Sequence, residues 1–427
     1  MTIPQLYDYF LTCQGVSTDT RQITQDCLFV ALKGDKFDGN AYAKDALEKG
    51  AKYAIVDNPA VAVDNRYLLV KDSLEALQQL AHHHRSLLSI PIVGLTGSNG
   101  KTTTKELIAT VLAKKYKTYA TKGNFNNHIG VPLTLLAIDS SYEIAVVEMG
   151  ANHQQEIALL SSIAAPTHGL ITNIGKAHLE GFGGIEGVRK GKGELYDWLA
   201  KSGGTVFVNG SNTTLTEMAH ERTFKTCIKY LIGEDAPQML EDAPLVVFKD
   251  AEGTTIQTHL TGKYNFENIA AALAIGSYFG VSSQDANQAV ADYNPTNNRS
   301  QIVQKGSNTI IMDAYNANPS SMAAAIENFG KLKAKRKVVI LGDMLELGEE
   351  SPQEHLALGK LIAQQKFDLV ILAGKLMQDA LPALPKAYYF PDKFSLHNWI
   401  VDHPQQDTHV LIKGSRGMGL ETVVPYL

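Results

Sequence analysis

Residues Ile92 to Lys115 read IVGLTGSNGKTTTKELIATVLAKK, an apolar run, a glycine-bearing turn and then a stretch with helical spacing. A strand, a glycine loop and a helix in that order are the context a phosphate-binding loop needs. Glycine lets backbone N–H groups approach phosphate oxygens, and the helix N-terminus adds a positive dipole. A lysine adds a point charge, and a threonine hydroxyl can ligate Mg²⁺. Gly97, Ser98, Asn99, Gly100, Lys101, Thr102 and Thr103 are therefore the candidate phosphate residues, and ATP is the expected ligand. The spacing is tighter than the general G-x-x-x-x-G-K-[ST] pattern, because Leu95 stands five positions before Gly100.

Around this loop the chain from Pro91 to about Arg299 alternates apolar runs (YEIAVVEMG, HGLITNI, TVFVNG) with helical-period segments. That is the pattern of a buried parallel sheet covered by helices. Before it, CLFVAL, YAIV and YLLV predict a small mixed α/β domain over residues 1–88, closed by the helical SLEALQQLAHHHRSLL. After YNPTNNR the alternation restarts with TIIMDAY, KVVILGD, FDLVILAG and HVLIKGS, each expected to lead into a helix. The prediction is an α/β protein of three domains: residues 1–88, a central ATP-binding domain over 89–299, and a Rossmann-like domain over 300–427. The 427 residues agree with about three domains at roughly 150 residues each.

Composition narrows the function. Hydrophobic residues make up 44% and charged residues 19%, which is the balance of a globular chain with a sizeable core. A net charge of −5 argues against a nucleic-acid partner. Three cysteines, Cys13, Cys27 and Cys227, are too few and too scattered for a disulfide framework or a metal site, so they are expected to be reduced and buried. Neither a basic, apolar leader nor a bilayer-length apolar run is present, which predicts a cytoplasmic protein that does not enter the membrane.

Glu148 ends the apolar run YEIAVVE, and parallel sheets bind ligands at the carboxyl ends of their strands, so it is a candidate Mg²⁺ ligand beside Thr102. Its alternative is a strand-end glutamate paired with a lysine. His178 and Lys192 lie farther on, in ITNIGKAHLEGFGGIEGVRKGKGELYDWL. Taken alone, neither is distinctive: a solitary histidine is usually packed or solvated, and a helical lysine is usually a surface charge.

The loop resembles that of Mur ligases and folylpolyglutamate synthetases, both of which join a carboxylate to an amine at the expense of ATP, and the further segments resemble Mur ligases. The resemblance covers nearly the whole chain. It implies that Lys101, Glu148, His178 and Lys192 are catalytic, with Thr102, Glu148, His178 and a CO₂-carbamylated Lys192 holding two Mg²⁺ ions. Gly191 stands where the family usually has alanine. LTGKYNFENIAAALAIG matches a motif whose asparagine, here Asn268, meets adenine. Arg299 matches an arginine that reaches the γ-phosphate. In DAYNANPSSMAAAI the family places Asp313 at the ribose, with Tyr315 and Asn316 near the nucleotide, and KGSRGMGLE supplies Arg416 to an expected rim that also includes Gly342, Asp343, Lys413 and Ser415.

STDTR and LKGDKFDGN resemble the segments that hold the UDP-sugar, which implicates Ser17, Thr18, Arg21 and Phe37. KGNFNNHIGVPLTLL resembles the loop that contacts the sugar-peptide, which implicates Asn126 and Asn127. The strings DAYNANP, GDMLELG and NNHIGVPLTLL are similar to the branch of the family that adds D-alanyl-D-alanine to a UDP-N-acetylmuramoyl-tripeptide. The implied partners are these two substrates and the implied state is a monomer. A nucleotide-binding sensor without turnover would keep Lys101 but would have no use for Glu148, His178 and Lys192.

Overall fold

The computed structural model describes residues 1–296 and 298–427. Its organising element is the strand Ile92–Thr96, buried along its whole length. The strand is flanked by His168–Ile171 on one side and Ile144–Glu148 on the other, within a six-stranded sheet that continues to Thr205–Asn209 and Thr226–Tyr230 at one edge and Thr118–Ala120 at the other. Every pairing in this sheet is parallel. The chain runs first to one side of Ile92–Thr96 and then to the other, so the strand sits at a topological switch point. The crevice at its carboxyl end is where such sheets bind ligands. Ile92, Val93 and Leu95 are fully buried, and each contributes on the order of 2 kcal/mol relative to exposure, which anchors the backbone that the glycine loop then bends.

The first segment forms a four-stranded parallel sheet in chain order, Val16–Ser17, Leu28–Val30, Tyr53–Val56 and Tyr67–Leu69. The following helix, Ser73–Leu87, is capped by Asp72, whose carboxylate accepts from Glu75 N–H. The same helix bonds this unit to the central one. Buried Arg85 donates to Ala164 O at 2.9 Å and Ala165 O at 3.0 Å, at the carboxyl end of the helix Glu156–Ala164. A cation there satisfies terminal carbonyls and the helix dipole together.

The last six-stranded sheet runs Gln301–Lys305, Asn308–Asp313, His409–Lys413, Lys337–Gly342, Leu369–Ala373, Tyr388–Phe390. The first of these pairs antiparallel as a hairpin and the rest are parallel. Helices Pro319–Lys331 and Ser351–Ala363 follow two strands as expected, whereas FDLVILAG and HVLIKGS lead only into 3₁₀ turns. Pro382 and Pro425 lie inside those turns, where an α-helix would lose backbone hydrogen bonds. A three-stranded antiparallel sheet, Gln238–Glu241, Val247–Lys249 and Thr255–Gln257, also lies outside the predicted pattern. All three cysteines are free, but only Cys27 is buried, while Cys13 is half-buried and Cys227 exposed. Cys227 lies on the outermost strand of the central sheet, where alternate side chains face solvent. Among the described residues no helix is long and apolar enough to cross a membrane.

Candidate functional site

A cleft of about 820 Å³ lies between the central and last sheets, within the usual size of a small-molecule site. At its floor, Gly97 and Gly100 take backbone angles of φ +146° and +78°. A Cβ on Gly97 would lie 2.0 Å from Thr172 Oγ1, and one on Gly100 2.8 Å from Asn268 Oδ1, so both positions need glycine for space as well as conformation. The loop is braced from the next strand. Ser98 N–H donates to Asn173 O and Asn99 N–H to Asn173 Oδ1, both at 3.0 Å. Contrary to the sequence expectation for the whole loop, these two N–H groups hold its shape. The donors left for phosphate are those at the start of the helix Lys101–Leu112.

Lys101 Nζ folds back over this loop, donating to Gly97 O at 2.8 Å and Ser98 O at 3.3 Å. Desolvation lowers its pKa to about 8; Glu148 opposes the shift and Arg299 adds to it. Glu148 itself is buried. Its Oε1 accepts from Asn126 Nδ2 at 2.8 Å and Thr102 Oγ1 at 3.2 Å, while its Oε2 has no hydrogen-bond partner among the described residues. An orphaned, buried carboxylate oxygen beside a threonine hydroxyl and a phosphate loop suits a hard cation that completes its shell with phosphate oxygens and water. Among the described residues no group of three or more His, Cys, Asp and Glu side chains forms a metal cluster. The donors here are instead one hydroxyl and one carboxylate.

Lys192 is fully buried on the helix Ile185–Ser202. Its Nζ donates to Ala151 O at 2.9 Å and lies 4.8 Å from the Phe182 ring centre. Burial, and then the charge of Lys101, hold this amine well below the usual lysine range, with Glu156 and Glu194 opposing. A neutral, nucleophilic amine is what carbamylation requires. The same packing explains Gly191, since a Cβ there would meet the Phe182 ring at 2.4 Å. His178 lines the cleft with a left-handed backbone and contacts Glu346, in the loop after the strand Lys337–Gly342 of the last unit, whose carboxyl is held below its usual range by that hydrogen bond.

On the nucleotide side, Asn268 and Asn265 are buried in the helix Lys263–Tyr278 and bonded to each other at 3.1 Å; Asn265 also donates to Thr261 O. Arg299 stacks on Tyr315 at 3.6 Å, with its Nε buried and without a partner among the described residues. Asp313 lies in the cleft, but its carboxylate is taken by Lys413 Nζ at 2.6 Å and Ser300 N–H at 3.2 Å. Asn316 accepts from Ala317 N–H and its carbonyl from Lys413. The expected rim is only partly present. Asp343 accepts from Met377 N–H, Ser415 Oγ accepts from Leu345 N–H, and Arg416 lies outside the cleft, 3.7 Å from Glu421. Strand-end Asp and Ser are readily used to fix the next turn.

Asn126 and Asn127 line the cleft, although Asn127 Oδ1 already accepts from Ile129 and Gly130 N–H. Ser17, Thr18, Arg21 and Phe37 do not line it: Ser17 ends the edge strand of the first sheet, Thr18 follows it, Arg21 lies in the 3₁₀ turn Thr20–Gln22 and pairs with Asp19 at 2.7 Å, and Phe37 is exposed on the two-stranded hairpin Lys33–Gly34 and Phe37–Asp38. Asn40 is buried and satisfied by Asp38, Asp57 and Asn58. Glu346 and Ser320, within GDMLELG and DAYNANPSSMAAAI, reach the cleft only when the last unit meets the central one, whereas Tyr264 lines it from the helix that carries Asn268; the sequence singled out none of the three.

A phosphate loop closed over by a second α/β unit, with a buried carboxylate and a desolvated lysine beneath, defines a nucleoside-triphosphate-dependent enzyme. Comparison with known proteins makes this specific. Residues 12–85 match the model described as "Mur ligase family, catalytic domain", 95–276 the Mur ligase middle domain, and 298–416 the "Mur ligase, glutamate ligase domain". The UDP-N-acetylmuramoyl-tripeptide–D-alanyl-D-alanine ligase of Bacillus subtilis is 38% identical over 96% of this chain and 92% of its own. A crystal structure of MurF from Acinetobacter baumannii superposes with a TM-score of 0.86 at 30% identity, covering 99% of this chain and 98% of that one. The MurF ligase of Thermotoga maritima in complex with ADP gives 0.84 at 27% identity, covering 98% and 97%. The chain belongs to the Mur ligase family.

Proposed function

We propose that this protein joins D-alanyl-D-alanine to the terminal carboxylate of UDP-N-acetylmuramoyl-tripeptide, forming UDP-N-acetylmuramoyl-pentapeptide, ADP and phosphate in peptidoglycan precursor synthesis. The observation that carries this reading is the 38% identity, along nearly the whole chain, to a ligase of that name. A carboxylate is a poor electrophile, so its oxygen first attacks the γ-phosphorus of ATP and ADP departs with the electrons of the broken bond. The dipeptide nitrogen, having lost a proton, then attacks the carbonyl carbon of the acyl phosphate and inorganic phosphate leaves.

This chain's residues have four tasks in that sequence. The N–H groups that open the helix Lys101–Leu112, with the Lys101 ammonium, receive the β- and γ-phosphates. Arg299, stacked on Tyr315, reaches the γ-phosphate, and its unspent Nε supports this. Asn268 fixes adenine, and Asp313, Tyr315 and Asn316 border the ribose. Asn126 and Asn127 contact the sugar-peptide, with Ser17, Thr18, Arg21 and Phe37 at the uridine end and Arg416 toward the acceptor. Thr102 and Glu148 would hold one Mg²⁺, and His178 with carbamylated Lys192 a second. Mg²⁺ bound there neutralises charge on the transferring phosphoryl group.

In this reading residues 1–88 bind the UDP-sugar, 89–299 bind ATP and 300–427 complete the ligase site, in a cytoplasmic monomer without nucleic-acid or membrane partners. The test is product mass. Incubation with ATP, Mg²⁺, UDP-tripeptide and D-alanyl-D-alanine is expected to give the pentapeptide, and formation of product only with a different amine would overturn the assignment.

A further inference from the structure

The loop that carries His178 belongs to the central unit, yet helices and a loop of the last unit shape it. Lys176 N–H donates to Ser320 Oγ at 2.9 Å, and Lys176 Nζ pairs with Glu354, a side chain otherwise buried in the last unit. Glu180 N–H meets Glu346 O at 3.4 Å. Between these points the carboxylate of Glu346 takes His178 Nδ1. Both residues hold left-handed backbone, φ +54° at His178 and +63° at Glu346, a conformation that costs a non-glycine residue on the order of 1 kcal/mol and persists where surroundings impose it. His178 Nε2 has no hydrogen bond to the described residues, so Nδ1 is the spent nitrogen and Nε2 the available one. Metal-bound histidines usually donate their second nitrogen to a carboxylate, which fixes the tautomer and the ring.

We infer that Glu346 is a positioning residue: it reaches across from a loop of the last unit to hold His178 Nδ1, leaving Nε2 to the divalent cation, so that this ligand is oriented only when the two units are docked. The inference rests on the reading of His178 as a metal ligand given above. It ties assembly of the metal site to closure, because the orienting carboxylate and the ligand belong to opposite walls of the cleft. Among the described residues, none of the central unit hydrogen-bonds His178 Nδ1, so the open central unit does not fix this ring by itself.

The experiment is Mn²⁺ binding, followed by electron paramagnetic resonance, to the full chain with a non-hydrolysable ATP analogue. Analogue affinity without metal is measured in parallel. Glu346→Ala is expected to weaken Mn²⁺ binding about 10- to 100-fold, while metal-free analogue binding stays as in the parent. Glu346→Gln, which keeps an acceptor oxygen for Nδ1, is expected to recover part of the loss. Lys176→Ala breaks the neighbouring inter-unit ion pair and reports on docking alone. Parent-like Mn²⁺ binding by Glu346→Ala, or parent-like Mn²⁺ binding by a Lys176→Ala protein that scattering shows to be undocked, would overturn the inference. His178→Ala separates the two levels: if it too binds Mn²⁺ like the parent, the metal-ligand reading of His178 is what fails.

Discussion

At the scale of single residues, two buried lysines divide the electrostatic work. Lys101 gives up its proton near pH 8 in the free protein because burial and Arg299 disfavour its charge. Nucleotide phosphate favours the protonated form, so binding above pH 8 must take up a proton. ATP affinity is therefore expected to be flat below pH 8 and to fall toward tenfold per unit above it. Lys101→Arg, which stays charged, should lose that slope. Calorimetry across pH 6.5 to 9.5 checks it, and an identical slope in both proteins would remove Lys101 from phosphate binding. In the proposed reading Lys192, whose amine burial also holds well below the usual lysine range, reacts with CO₂ instead of carrying a charge. Lys192→Ala is expected to lose at least about 100-fold in turnover, a typical cost for one electrostatic group in a site, and to regain part of it with added short carboxylates. Unaltered turnover would exclude the carbamate.

At the scale of elements, the phosphate loop was legible because strand, glycine turn and helix are all local signals, and the structure reproduces each of them. Lys192 and Gly191 were legible only through family resemblance, since their meaning depends on Phe182 packing across the helix. Asp343 and Ser415 show the reverse: strand-end polar residues that the sequence placed on a binding rim are used to fix turns. The hairpin strand Gln301–Lys305 and the small sheet around Val247–Lys249 were missed because short strands at an edge bury few side chains and leave weak periodicity. Gly191→Ala tests the packing account of the helix Ile185–Ser202. The added methyl group has no space beside Phe182 and should destabilise by about 1–3 kcal/mol, read as a lowered unfolding midpoint. An unchanged midpoint would mean that the ring yields freely.

At the scale of the whole molecule, the first unit is pinned to the central one by Arg85 and by His84, whose Nε2 lies 2.7 Å from Ile138 O. The last unit meets the central one through polar and ionic contacts, Asn318 to Asn99 at 2.7 Å, Lys331 to Asp242 at 2.7 Å and Lys176 to Glu354, beside an apolar cluster that the two units share. Residues on opposite walls of the cleft must meet around the nucleotide for the reaction to occur, so the last unit is the one expected to move. Small-angle scattering should show a smaller radius of gyration with ATP analogue and UDP-tripeptide than without. Lys176→Ala/Lys331→Ala should shift the unliganded protein toward the larger value, and profiles indifferent to ligands would contradict a closing cleft. None of this was readable residue by residue, because Glu346, Ser320 and Asn318 acquire roles only across the cleft.

The central claim is that ATP cleavage here serves amide-bond formation between two particular substrates. Phosphate release from ATP and Mg²⁺, measured with UDP-N-acetylmuramoyl-tripeptide in the presence and absence of D-alanyl-D-alanine, tests it directly. Release that requires both substrates is the predicted result, whereas release that ignores the dipeptide, or no release with both present, would contradict it.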